Sequence, residues 1–177
     1  MKICMIGTGY VGLVSGTCFA DIGHQVYCVD KDLSKINQLN SGIPPIYEPG
    51  LEELIKKNHK AKRLYFTSDL KKAITVSDII FICVGTPNIK GSLKVDLSFV
   101  FKCTKEILSI TKKKKIIVTK STVPIGTGDQ IENIIKKKKK LFSVISNPEF
   151  LREGEAIRDF RYPDRIIIGS NSKNEFK

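Results

Sequence analysis

The chain opens Met1-Lys2-Ile3-Cys4-Met5-Ile6-Gly7-Thr8-Gly9-Tyr10-Val11-Gly12, and the unit begun there ends at Asp30. An apolar run meets a glycine-rich turn, then a helix-forming stretch, a second apolar run and an acid. That order describes a device for holding a dinucleotide. Gly7 permits a tight turn out of the first strand. Gly9 has no Cβ, so the backbone can approach a pyrophosphate. Gly12 lets the following helix pack closely on the sheet. The pyrophosphate then sits at the helix N-terminus, where unpaired N–H groups and the helix dipole favour an anion.

Working outward, residues 11–22 read as a helix rich in small side chains that stops at Gly23, and residues 25–29 read as a second strand. Asp30 stands at the end of that strand, about 20 residues beyond the glycines, where a carboxylate accepts from a ribose 2′-hydroxyl. A 2′-phosphate there would meet a like charge, so the pattern favours NAD over NADP; Lys31 and Lys35 nearby pull the other way. The plainer alternative is a glycine-rich turn without a ligand. The strand before the turn, the helix after it and the acid in place outweigh it.

With 177 residues and 41% hydrophobic content, the chain can bury one core, so residues 1–177 are expected to form one domain. No apolar run reaches a membrane-spanning length of about 18 residues. The N-terminus begins directly in a strand, so no signal peptide is expected. Cys4, Cys18, Cys28, Cys83 and Cys103 are odd in number and form no C-x-x-C pair. They read as small buried hydrophobes in a reducing cytoplasm, and a metal site is not expected. Much of the net charge of +12 comes from residues 112–115 and 136–140. Neither run carries interleaved aromatics or a nucleic-acid-binding motif, so both read as solvated surface, with no nucleic-acid partner expected.

Strand and helix signals alternate along the chain. Strands are predicted at 2–6, 25–29, 64–67, 79–84, 115–119 and 142–146, and helices at 11–22, 33–40, 51–57, 69–74, 98–110 and 128–137. Apolar strands separated by helices imply an α/β fold: a Rossmann-type, doubly wound, mainly parallel sheet with helices on both faces. Ligands in such folds bind beyond the C-terminal strand ends, and the unusual residues gather there. Gly85-Thr86-Pro87 follows the fourth strand and reads equally as a loop over the cofactor's ribose or adenine and as an ordinary turn. Lys120-Ser121-Thr122-Val123-Pro124 follows the fifth, where two hydroxyls beside a lysine suit a water or a substrate oxygen; Thr127 reads as a helix cap. Asn147-Pro148-Glu149-Phe150-Leu151-Arg152-Glu153-Gly154 follows the sixth. If that segment is helical, Glu149 and Glu153 share a face and suit general-base work, or Glu153 is a first-turn acid favoured by the helix dipole. Arg165 is read as pairing with Asp164, Asp159 or a phosphate, ahead of a strand at 166–169. The tail 171–177 is polar and read as prone to fray.

Residues 7–20, 45–51 (PIYEPGL), 84–87 (VGTP), 120–124, 147–154 and 162–166 (YPDRI) together make the chain resemble the N-terminal part of the UDP-glucose/GDP-mannose dehydrogenase family, and its UDP-glucose branch more than its GDP-mannose branch. The resemblance implies a two-step, NAD-dependent oxidation of the sugar C6 alcohol of UDP-glucose to the carboxylate of UDP-glucuronate. It implies that Gly7, Gly9, Tyr10, Val11 and Gly12 hold the pyrophosphate, that Asp30 takes the ribose with Lys35 nearby, and that Thr86, Ser121 and Glu153 line the cofactor cleft. Thr122 would orient a water and Glu149 would act as base in thioester hydrolysis. Phe150, Leu151, Arg152 and Glu153, with Glu149, would border the sugar. The family's nucleophilic cysteine, catalytic lysine, long central helix and C-terminal UDP-binding domain find no counterpart in these residues. The chain is therefore expected to supply the NAD-binding part, without turnover alone, of a family whose full-length members are homo-oligomers. An NAD-binding module without turnover, and a GDP-mannose or UDP-N-acetylhexosamine dehydrogenase, remain the alternatives.

Overall fold

The computed structural model describes residues 1–171; the expected polar tail, past Asn171, lies outside the described residues. Six parallel strands stand in the order β3-β2-β1-β4-β5-β6: β1 (Lys2–Ile6), β2 (Gln25–Val29), β3 (Leu64–Thr67), β4 (Ile79–Ile82), β5 (Lys115–Thr119) and β6 (Phe142–Ser146). The helices are α1 (Tyr10–Asp21), α2 (Leu33–Asn40), α3 (Leu51–Lys60), α4 (Leu70–Val76), α5 (Ser98–Ile110), α6 (Thr127–Ile135) and α7 (Ala156–Arg161). This is the doubly wound sheet read from the alternation. The order reverses between β1 and β4, the switch point at which such folds bind ligands.

Both faces of the sheet are buried, which is why the strands read as continuous apolar runs. Ile3, Met5, Val26, Cys28 and Phe81 pack with α1, α3 and α7 on one face; Cys4, Ile6, Ile80, Ile82 and Ile117 pack with α4, α5 and α6 on the other. Side-chain caps start two helices: Asp32 accepts from the Lys35 amide at 3.1 Å, and Asp69 from the Lys72 amide at 2.9 Å. The α1 N-cap is Gly9, which supplies no side-chain bond. All five cysteines are buried and unpaired. Among the described residues, no helix is long and apolar enough to cross a membrane.

Four local expectations are corrected. The fourth strand ends at Ile82, not residue 84. Its neighbours stop at Ile6 and Thr119, and the Lys120 and Ser121 amides close on Ile82 O at 3.0 and 3.1 Å. Residues 166–169 form no strand: a single antiparallel bridge joins Ser146 to Gly169, and the Asn147 side-chain amide takes Ile167 O at 2.9 Å. Thr127 does not cap α6. Its hydroxyl donates backward to Pro124 O at 2.7 Å, and Gly126 is the N-cap. Lys115 is not solvated; its ammonium is buried and donates to Thr75 O and Ser77 O, satisfying carbonyls at the end of α4.

Candidate functional site

The glycine-rich turn is built by close approach. Gly7 has φ +102°, and a Cβ there would lie 2.6 Å from Cys83 O. A Cβ on Gly12 would lie 1.9 Å from Gly7 O and 3.1 Å from Cys83 Cβ. Gly12 therefore packs against the turn itself and the end of β4. The tight contact of α1 with the sheet falls at Gly16, where a Cβ would meet Cys28 Sγ at 2.7 Å. At Gly9 a Cβ would meet nothing within 4 Å, so the space before the turn is open. The open space, the uncapped N–H groups of Tyr10 and Val11, and the helix dipole form an anion cradle at the switch point.

Asp30 flanks this cradle and is tied into it. Its Oδ2 accepts from the Thr8 amide at 3.0 Å, the Thr8 hydroxyl at 2.7 Å and Lys35 Nζ at 3.4 Å, while Oδ1 accepts from the Asp32 amide at 3.1 Å. Oδ1 keeps a lone pair for a further donor. Burial alone would raise this carboxyl, but the Thr8 and Asp32 donors and Lys35 hold it below its ordinary value. Across the cleft, Thr86 Oγ1 donates to Thr122 O at 2.8 Å, joining the loops after β4 and β5. The buried Ser121 hydroxyl donates to Val84 O at 2.7 Å and so braces these loops.

The third part is a cleft of about 880 Å³ lined by Phe19, Phe81, Lys120, Glu149, Leu151 and Ile166 among others. Glu149 Oε2 is shielded from solvent and without a hydrogen-bond partner among the described residues. Burial raises the Glu149 carboxyl, against the pull of Lys120 and the Leu151 amide. Burial lowers the Lys120 ammonium, against the pull of Cys83 and Glu149. Lys120 Nζ reaches Asn147 Oδ1 at 3.3 Å. A carboxyl raised and an amine lowered by burial, both lining one cleft, are the kind of perturbed groups that gather at functional sites.

The profile of the UDP-glucose/GDP-mannose dehydrogenase family, NAD binding domain, matches residues 1–177. The chain belongs to this family. UDP-glucose 6-dehydrogenase of Rhizobium meliloti (strain 1021) is 56% identical over 171 residues, covering 96% of the chain and 39% of the relative. UDP-glucose 6-dehydrogenase TuaD of Bacillus subtilis (strain 168) is 53% identical over 174 residues, covering 97% and 38%. The chain thus spans about two-fifths of the length of these relatives. Among solved structures, GDP-mannose dehydrogenase from Pseudomonas aeruginosa superposes with TM-score 0.90 at 40% identity, covering 98% of the chain and 42% of that structure.

In this chain, the segment after β6 departs from its sequence reading. Residues 147–155 are not helical, and α7 begins only at Ala156. Pro148 offers no N–H, and Gly154, at φ +85°, breaks the backbone. Glu149 and Glu153 consequently do not share a helical face, and Glu153 is no first-turn acid. Glu149 lines the Lys120 cleft, whereas Glu153 borders a separate hollow with Tyr10, Ile46, Tyr47 and Gly154. Arg152 is turned to Asp159, donating from its amide, Nε and Nη2 at 2.9, 3.0 and 2.6 Å. Arg165 forms no ion pair with Asp159 or Asp164; it lies 4.6 Å over the Phe150 ring.

Sequence reasoning gave no role to Thr8 or Glu48, nor to the Lys120–Asn147 contact. Thr8 sits between two glycines that drew the attention. Glu48 lies outside any strand-end loop of the sheet, and its burial, at 6% exposure, is visible only in three dimensions.

Proposed function

We propose that residues 1–177 form one NAD-binding domain and supply the cofactor half of a UDP-glucose 6-dehydrogenase, which oxidises UDP-glucose to UDP-glucuronate. The observation that carries this is the open cradle at Gly9, framed by the close-packed Gly7 and Gly12 and flanked by Asp30. Gly7, Gly9, Tyr10, Val11 and Gly12 hold the pyrophosphate through main-chain N–H groups. Asp30 takes the ribose through Oδ1, with Lys35 beside it, and Thr86, Ser121 and Glu153 line the cleft. NAD, when bound, supplies the hydride acceptor. Glu149, raised by burial, takes a proton from a water that Thr122 orients, and Phe150, Leu151 and Arg152 border the sugar, while Glu153 stands on the Tyr10 side. The names of the curated relatives support UDP-glucose over GDP-mannose or an N-acetylhexosamine as the sugar. The five buried thiols support a reducing, cytoplasmic setting, and the family resemblance supports a homo-oligomeric state.

The cysteines do not provide a nucleophile. Burial pushes Cys103 up to about 11 and Cys18 and Cys83 up to about 12, and it raises Cys4 and Cys28 as well. None offers a thiolate near neutral pH. The test is calorimetric titration with NAD, with NADP and UDP-glucose in parallel, and an assay for NADH. Saturable binding of NAD without NADH supports the reading. NADH production would overturn the account of the thiols, and absence of NAD binding would overturn the cradle assignment.

A further inference from the structure

The segment 45–51 drew notice only as part of a resemblance, yet it buries a carboxylate. Glu48 is 6% exposed, and no cation lies within ion-pair distance of it among the described residues. Its charge is met entirely by hydrogen-bond donors. Tyr10 Oη donates to Oε2, the Gly154 amide donates to Oε2 at 2.8 Å, and the Ile157 amide donates to Oε1 at 3.2 Å. The Gly154 amide also lies 2.7 Å from Tyr10 Oη. A buried carboxylate without a cation is costly unless its hydrogen bonds are complete. Here they are drawn from two segments far apart in sequence. One is the first residue of α1, whose backbone N–H belongs to the cradle. The other is the end of the 147–154 loop and the start of α7.

We propose that Glu48 is a positioning residue that latches the cofactor turn to the loop bordering the sugar, so that filling the cradle orders that loop. This rests on the assignment of the cradle to NAD. A ligand held by the main chain at the start of α1 fixes Tyr10. Through Tyr10 and Glu48 it fixes the Gly154 and Ile157 amides, and hence the base of the segment carrying Glu149 to Glu153. Burial and the bond to Glu48 push the Tyr10 phenol up to about 12, so it remains a donor through the neutral range. A ligand that prepays the ordering of the loop lowers the cost for whatever binds against it next.

The test is amide hydrogen exchange of the chain with and without saturating NAD, alongside NAD calorimetry, for wild type, E48Q and Y10F. In E48Q one carboxylate oxygen becomes an amide that cannot accept. Without NAD, the Gly154 and Ile157 amides are expected to exchange about tenfold or more faster than in wild type, with β1 and β4 unchanged. Saturating NAD is expected to protect these amides in wild type, and to do so neither in E48Q nor in Y10F. Saturation removes any direct effect of the substitution at Tyr10 on affinity. If E48Q does not fold, Y10F alone decides, because it leaves the carboxylate in place and removes only the link. NAD-induced protection equal to wild type in the variant that folds overturns the latch, even where its basal exchange is faster. A wild-type chain that binds no NAD overturns the cofactor assignment and the latch together, whereas normal binding without protection of Gly154 and Ile157 overturns the latch alone.

Discussion

The two sides of this site are built at different ranges. In the cradle, the side-chain hydrogen bonds are short in range: Thr8 and Asp30 are 22 positions apart, and Lys35 and Asp30 only 5, while the distant contact is the close approach of Gly7 and Gly12 to Cys83. In the segment after β6, Gly154 reaches Glu48 and Tyr10 across 106 and 144 positions. The first side is a regular strand-turn-helix-strand unit in which steric exclusion does the shaping. The second is irregular backbone placed by scattered hydrogen bonds and by packing against α1. The difference teaches that a cradle built mostly from near contacts needs a distant wall, at Cys83, while the opposing loop is only as well placed as its several distant anchors.

The comparison is broken most severely at Gly12. Gly12→Ala sets a methyl group where 1.9 Å separates it from Gly7 O. The expected outcome is loss of detectable NAD binding and destabilisation of about 3 kcal/mol or more, read by calorimetry and thermal melting. Wild-type behaviour of this variant would show that close packing is not what shapes the turn. Asp30→Ala is next. It removes the proposed ribose acceptor and the brace on Thr8, and is expected to weaken NAD binding by about 1–3 kcal/mol. Because the folded carboxyl is depressed, its contribution to stability is present above the ordinary carboxylate range and is lost as pH falls through the depressed value. The melting temperatures of wild type and variant should therefore converge in acid.

On the other side, Glu149→Gln is expected to leave NAD affinity nearly intact. Its signature lies in stability and has the opposite sign. The Glu149 carboxyl is raised, so the folded state holds its proton to higher pH than the unfolded chain. Stability is lost as pH rises from the ordinary carboxylate value through the raised one. The glutamine variant should melt slightly above wild type at pH 7 and level with it at low pH; a large loss of NAD binding would show that Glu149 has the wrong role. The smallest effect is expected for Arg152→Ala. The Arg152 side chain is 69% exposed, though Asp159 is held down at about 2 by it. The ion pair thus persists to about that pH, and its removal should barely move the melting temperature while speeding amide exchange in the 152–159 turn. A large fall in melting temperature would mean that this exposed pair anchors the loop in place of Glu48.

The sequence by itself determined the doubly wound sheet, because apolar strands alternating with helices can bury both faces in few other ways. It also placed the glycine-rich turn and Asp30, because strand, turn, helix and acid follow one another in one supersecondary unit, although the wall that crowds Gly7 is Cys83, beyond β4. Only the tertiary structure decided where Glu149 and Glu153 point. Pro148 and Gly154 deny the helix that their spacing offered; the shielded environment of Glu149 comes from residues remote in the chain, while Glu153 is exposed. The same holds for Glu48 and Lys115. Burial of a charge leaves no periodicity in the sequence, because the donors and acceptors that make it tolerable are brought together only when the sheet closes.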